Sequence, residues 1–209
     1  MRYIKPLAFL FLLFMPAILR AQDENVRGAI AIRSGLLIIW NEPGNNFTVE
    51  IKGKTVERVP NKNLAFMIDG KFLQIVTALD KDFLTDTQKQ QKLDERTTLL
   101  AHRDWELKYL EQTVGEKLTV DSEEISIPNS KPALIWTFPV PPKDRDKVKK
   151  QVFLSVCKGE SVLVLNGAVT SDADENVVRR FLLETVATLK IREKPLSRGE
   201  AVELASKAN

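Results

Sequence analysis

The chain has 209 residues, with 31 lysines and arginines against 28 aspartates and glutamates, one histidine, one cysteine and 44% hydrophobic residues. That length suits one domain of ordinary size whose core needs no metal or disulfide staple, and the lone Cys157 excludes both an intrachain disulfide and a thiolate zinc cluster. Setting aside the three basic residues Arg2, Lys5 and Arg20 leaves 28 bases to balance the 28 acids, so nucleic acid is not expected as a partner.

The first 21 residues, MRYIKPLAFLFLLFMPAILRA, read as an export signal. Arg2 and Lys5 make a positive start, Leu7 to Met15 form an unbroken apolar run after Pro6, and Ala21 is a small residue suited to cleavage. Leu19 stands where a small residue is usual, and the alternative is an uncleaved anchor. The run is short of the about 20 apolar residues that a spanning helix needs, and Pro6 and Pro16 interrupt it. The expectation is an exported protein, periplasmic or extracellular, with no stable membrane span after cleavage and no lipid-modified cysteine at its new N-terminus.

Strands follow. Ala29 to Ile32 and Leu36 to Trp40 are apolar or β-branched runs split by Ser34-Gly35, and Glu42-Pro43-Gly44-Asn45-Asn46 closes them with a dense turn cluster. Alternation places Phe47, Val49 and Ile51 on one face and Thr48, Glu50 and Lys52 on the other, with Thr55 to Val59 returning as the second arm of a half-buried hairpin. Asp69-Gly70, between Leu64–Ile68 and Phe72–Val76, is the strongest hairpin signal, because a type I′ turn needs two residues that accept positive φ.

From Thr85 to Val114 there is no proline or glycine and helix formers dominate, which predicts one long helix ended by Gly115. Helical periodicity puts Leu93, Leu99, Leu100, Leu107, Leu110 and Val114 on the face toward the sheet, and Ala101, Trp105 and Tyr109 opposite. Lys117 to Val120 and Glu124 to Ile127 read as one long or bent strand. A turn at Pro128-Asn129-Ser130-Lys131 leads to Ala133–Phe138, which Pro139, Pro141 and Pro142 stop.

Lys143 to Lys150 is a charged, solvated connection. Gln151–Cys157 and Ser161–Val169 then pair around Lys158-Gly159-Glu160, with Asn166-Gly167 as a bulge or strand end. A helix capped by Ser171 or Asp172 buries Val178, Phe181, Leu182, Thr185 and Leu189. Ser197, with Glu200 at the reciprocal position, starts a short tail helix after Pro195.

The order from Gln151 to Ile191, QVFLSVCKGESVLVLNGAV followed by DENVVRRFLLETVATLKI, resembles the C-terminal half of PsbP-like proteins, where a two-stranded unit feeds a closing helix. The long middle helix and the N-terminal hairpins are similar in order, so the resemblance extends from about Phe47 to Ile191. It implies an α/β/α sandwich around an antiparallel sheet, and a binding or assembly role rather than chemistry. No functional residue comes with it, because that family shares no catalytic motif.

Candidate chemistry is sparse. His102 and Glu106 have the i, i+4 spacing by which two ligands share a metal, yet two ligands are not a site, and a solvated, helix-stabilising pair is the expectation. No G-x-S-x-G pattern offers a nucleophile. Asp172, Asp174 and Glu175 lack the EF-hand pattern and suit a helix start, while Glu123 and Glu124, adjacent on a strand, point to opposite faces. Lys158 beside Cys157 would lower the thiol pKa if the two approach, although inert packing is the expectation. Asn46-Phe47-Thr48 is a glycosylation sequon.

Trp105 and Tyr109 are the strongest functional lead. A helix apolar on both sides is either sandwiched between layers or shows an aromatic patch to a partner. Burial under the strands Ala29 to Trp40 or under the tail is expected ahead of a partner surface. The whole reads as an α+β protein: an antiparallel sheet of hairpins with a long middle helix and a C-terminal helix packed on it. Its parts are a signal at 1–21, an N-terminal strand segment at 22–46, a single domain at 47–191 and a tail at 192–209. The expected function is exported, non-enzymatic binding or accessory work with an envelope or secreted protein, without cofactor or metal. The alternative is an exported hydrolase or metal-dependent enzyme with dispersed catalytic groups.

Overall fold

A computed structural model describes residues 27–127, 131–141, 148–170 and 173–208. The segment expected to be an export signal, the expected turn at Pro128–Ser130, most of the Lys143–Lys150 connection and the expected caps Ser171 and Asp172 lie outside the described residues. The chain begins with β1 (Arg27–Ile32) and β2 (Gly35–Trp40), an antiparallel hairpin closed by Arg33-Ser34. Gly35 has φ 143°, and a Cβ there would overlap the Ile51 carbonyl oxygen, so only glycine fits. The next strand, β3 (Asn46–Lys52), pairs along all of β2.

The hairpin expected between β3 and Thr55–Val59 does not form. That run is the short β4 (Val56–Arg58), which pairs instead with β5 (Ala65–Ile68) in a second sheet. Asp69 carries the chain across. Its carboxylate accepts the Lys54 and Thr55 backbone N–H groups at 3.0 and 2.8 Å, and these bonds hold its pKa below the ordinary value. Asp69 and Gly70 have φ of 47° and 75°, as the expected type I′ turn requires, and lead into β6 (Lys71–Leu79).

The single helix expected over Thr85–Val114 is two, preceded by the one-turn α1 (Asp80–Phe83): α2 (Asp86–Gln91) and α3 (Glu95–Val114). Lys92 adopts the left-handed conformation with φ 47°. Asp94 restarts the helix by accepting the Thr97 N–H at 2.7 Å, satisfying an otherwise orphaned donor. Gly115 ends α3 as expected, with φ 83°.

Residues 117–120 are not strand; β7 (Asp121–Ile127) begins after them and pairs with β8 (Lys131–Pro139). The hairpin of β9 (Val148–Cys157) and β10 (Ser161–Thr170) forms as read. Asn166 and Gly167 stay in regular register within it, and the irregularity falls at Val169/Thr170. Gly167 answers a packing need instead. A Cβ there would lie 2.7 Å from Cγ1 of Val178, on α4 (Glu175–Val186), so the helix sits on the strand only because the side chain is missing.

Asp174, not Ser171 or Asp172, caps α4, accepting the Asn176 N–H at 2.9 Å. The chain then adds β11 (Lys190–Arg192) to the edge of β3, a strand too short to show in the sequence pattern, and ends in α5 (Arg198–Lys207). The Ser197/Glu200 capping box of α5 forms as expected.

The protein is thus α+β, with two antiparallel sheets ordered β1-β2-β3-β11 and β4-β5-β6-β10-β9-β8-β7. Alternation along β8 sends Leu134, Trp136 and Phe138 to one face of the larger sheet, where they pack with Phe153, Val162 and Leu99 of α3. Ala133 and Ile135 face the other side, into a core shared with α4 and with Leu36, Ile38, Phe47, Val49 and Ile51 of the smaller sheet. The far face of that smaller sheet, through Ile32, Leu37 and Ile39, is covered by Leu196 and by Ala201 and Ala205 of α5. The long middle helix and the C-terminal helix therefore flank the larger sheet. Glu123 and Glu124 report this directly: the first pairs with Arg179 of α4, the second with Arg96 of α3 at 2.7 Å, on opposite faces as expected.

Candidate functional site

The first half of α3 lies deepest on the sheet, where Thr98, Leu99 and His102 are buried; Leu100 and Leu110 are half-buried against the same core. Leu107 and Val114, expected on that face, are half-buried beyond its deepest part. His102 is 1% exposed, which corrects the solvated pair. Its ring meets Phe83 edge-on at 5.2 Å and Trp105 at 5.9 Å, and among the described residues its Nδ1 has no hydrogen-bond partner. Burial, which disfavours the charged imidazolium, pulls its pKa down to about 4. Glu106 is half-buried, and desolvation pushes its carboxyl above the ordinary value. Among the described residues, no three of His, Cys, Asp and Glu converge as metal ligands would.

Trp105 and Tyr109 lie one turn apart on the outer side of α3, 40% and 60% exposed. Neither the strands Ala29 to Trp40 nor the tail covers them, against the expectation of burial, because β2 is taken up by β3 and the tail helix by the far side of the smaller sheet. Trp105 is nevertheless anchored from behind, its ring 6.3 Å from Phe83 and 5.9 Å from His102. The result is a fixed indole edge beside a phenol that stands free of the core.

Cys157 is 6% exposed, and its Sγ donates to the Glu95 carbonyl at 3.4 Å. Burial, reinforced by the charges of Glu95 and Asp80, pushes its thiol up to about 12, the inert state expected of it. Lys158 does not activate it. That side chain, 2% exposed, turns the other way and lies over the Phe47 ring at 5.0 Å; burial brings its pKa down to about 8, with Glu42 pulling in the opposite sense. The sequence pattern marks Lys158 only as a turn residue. Nothing local could show its burial, because Phe47 arrives from a strand of the other sheet.

Of the acidic cluster, Asp172 lies outside the described residues, Asp174 caps α4, and Glu175 pairs with Lys150 at 2.6 Å and with Arg179 at 3.8 Å. Asn46 of the sequon is 5% exposed and accepts the Glu42 N–H at 3.1 Å, so it is committed to the fold. A cleft of about 880 Å³ opens where the Pro43–Asn45 turn, the Leu79–Lys81 corner and the Gly159–Ser161 turn meet α2. The Asp80 carboxyl in its wall is raised by burial and by nearby Glu160, and among the described residues one of its oxygens has no partner. No sequence motif marked this cleft, since its three walls come from distant parts of the chain.

The arrangement is similar to that of a cyanobacterial PsbP. The solution structure of that protein (CyanoP), from Synechocystis sp. PCC 6803, matches with a TM-score of 0.49 at 10% sequence identity, over 80% of this chain and 98% of its own. No family model matches the chain, and no curated protein matches it.

Proposed function

We propose that this is an exported, non-enzymatic accessory protein, periplasmic or extracellular, that binds an envelope or secreted protein through the outer face of α3. The observation that carries this reading is the pair Trp105 and Tyr109, exposed on successive turns while Trp105 is held from behind by Phe83 and His102. Aromatic side chains supply the largest share of interface energy per residue, and a ring already fixed in place loses little freedom on binding. Residues 1–21 support export, and the division into a strand segment at 22–46, a domain at 47–191 and a tail at 192–209 belongs to the same reading. A histidine-dependent form of the enzymatic alternative would have to run through His102, the one histidine of the chain, whose imidazole is enclosed between Phe83, Trp105 and the sheet.

A photo-crosslinking residue in place of Tyr109, introduced into the protein in its native compartment, tests the surface. A single protein is expected to be crosslinked, and Trp105→Ala is expected to reduce the yield at least tenfold while the far-UV circular dichroism is unchanged. Crosslinking to no protein, or a yield indifferent to Trp105, would remove the surface from consideration. Mass analysis of the same material is expected to find Gln22 at the N-terminus.

A further inference from the structure

Sheet edges expose rows of unpaired backbone groups, and folded proteins blunt them by shortness, charge or cover. Of the four edges among the described residues, three are blunted. β4 and β11 have three residues each, with exposed Glu57 and Arg58 on the first and exposed Lys190 on the second. β7 is longer but exposes Asp121, Glu123 and Glu124. β1 differs: six residues, Arg-Gly-Ala-Ile-Ala-Ile, with no proline and no charge after Arg27.

The register shows what this edge offers. The two-residue turn Arg33-Ser34 makes Ile32 and Gly35 a hydrogen-bonded pair, and alternation then turns the backbone groups of Gly28, Ile30 and Ile32 toward β2. Those of Arg27, Ala29 and Ala31 point out of the sheet, and among the described residues no backbone group bonds to them. Side chains do not obstruct the approach. Ala29 and Ala31 are small and exposed, Ile30 and Ile32 are drawn under α5, and the Arg27 side chain is folded back onto Glu42 at 3.0 Å and over the Trp40 ring at 5.0 Å.

We infer that β1 is a dimerisation edge, pairing antiparallel with β1 of a second copy of this chain and joining the two smaller sheets into one continuous sheet. The occupant follows from the strand's own chemistry. A closed two-fold contact brings the same strand to itself, and only an antiparallel pair sets the two Arg27 charges at opposite ends, about 14 Å apart at the usual rise per residue. With Ala29 on the axis, every outward residue finds a partner: Ala29 faces Ala29 of the partner subunit, and Arg27 faces Ala31 of the partner subunit. A shift that centres the pair on Ile30 would set Arg27 against Arg33 of the partner subunit, a like-charge contact. The edge lies on the smaller sheet, away from the α3 surface, so this inference stands apart from the binding reading.

Sedimentation equilibrium on the protein purified from its host, followed across a concentration series, is expected to give twice the monomer mass. Ala29→Pro removes one outward N–H without touching the β1–β2 ladder, and is expected to return the mass to that of the monomer. Ala29→Cys provides an independent readout: a hydrogen-bonded antiparallel pair has Cα atoms about 5.5 Å apart, within disulfide range, so mild oxidation is expected to yield a covalent dimer while Cys157 stays reduced. A wild-type monomer at every concentration, a dimer that survives Ala29→Pro, or an Ala29→Cys variant whose introduced thiol crosslinks to another protein but not to itself would each overturn the inference. If Ala29→Pro fails to fold, the Ala29→Cys result decides.

Discussion

His102 and Lys158 are ionisable groups placed where their charged forms are disfavoured, one between a helix and the larger sheet, the other over a ring of the smaller. For His102 the folded pKa of about 4 lies below the unfolded value near 6.5. Between those values the unfolded chain takes a proton that the native state refuses. The stability associated with the neutral ring is therefore complete above pH 6.5 and lost as pH falls toward 4, by about 3 kcal/mol. Glu106, whose pKa is raised by burial, acts in the opposite sense in the acid range, so the comparison must be with a variant that leaves it in place. His102→Phe keeps a ring against Phe83 and Trp105 and removes the titration. Urea denaturation at a series of pH values is expected to show that variant losing about 3 kcal/mol less than the wild type between pH 6.5 and 4; parallel losses would mean that the ring is solvated. Lys158 acts in the same direction at higher pH: its depressed pKa of about 8 makes stability rise from pH 8 toward 10.5. Periodicity placed His102 on α3 but not on its buried face, because that face is defined by Phe83 and Phe153 from other elements.

At the scale of elements, turn chemistry was legible and helix continuity was not. Asp69-Gly70, Lys158–Glu160 and the Ser197/Glu200 box each act through their own backbone, so their residues suffice to predict them. The break between α2 and α3 involves neither proline nor glycine, only Lys92 in a left-handed conformation and the cap offered by Asp94, a residue that equally suits a helix interior on a solvated face. Gly167 makes the complementary point: its sequence context suggests a bulge, but it marks where α4 meets β10. Gly167→Ala must displace Val178 or the helix, and is expected to destabilise by about 1–3 kcal/mol. Gly199→Ala, in α5, where an added Cβ meets nothing within 4 Å, is expected to stabilise by about 0.5–1 kcal/mol. Equilibrium denaturation of the pair separates steric conflict from backbone entropy, and a stabilised Gly167→Ala would show that α4 is free to retreat.

At the scale of the molecule, the two sheets and the tail are tied by buried polar groups. Asn41 is fully buried; its side chain donates to the Leu196 carbonyl at 2.7 Å and accepts the Leu196 N–H at 3.1 Å, closing the tail onto the end of β2. Ser161 donates to Asn45 at 3.2 Å, joining the β9–β10 turn to the β2–β3 turn. Asn41→Ala leaves both Leu196 backbone groups buried without partners, and is expected to cost about 2–4 kcal/mol. Hydrogen exchange should then show α5 opening ahead of the rest of the fold; uniform loss of protection would mean that α5 unfolds only with the core.

By itself the sequence determined the α+β class, the strands β5, β6 and β8 to β10, the closing helix with its Val178, Phe181 and Leu182 face, and the place of the aromatic pair on α3, because each rests on residues within a turn or two of one another. The tertiary structure alone decided that the strands divide into two sheets, that β4 turns away from β3, that β11 returns to it, and that the tail covers the far face of the smaller sheet instead of Trp105 and Tyr109. Those outcomes depend on which apolar faces meet across long stretches of chain. A strand's alternation states that it has a buried face and is silent about which sheet supplies the partner.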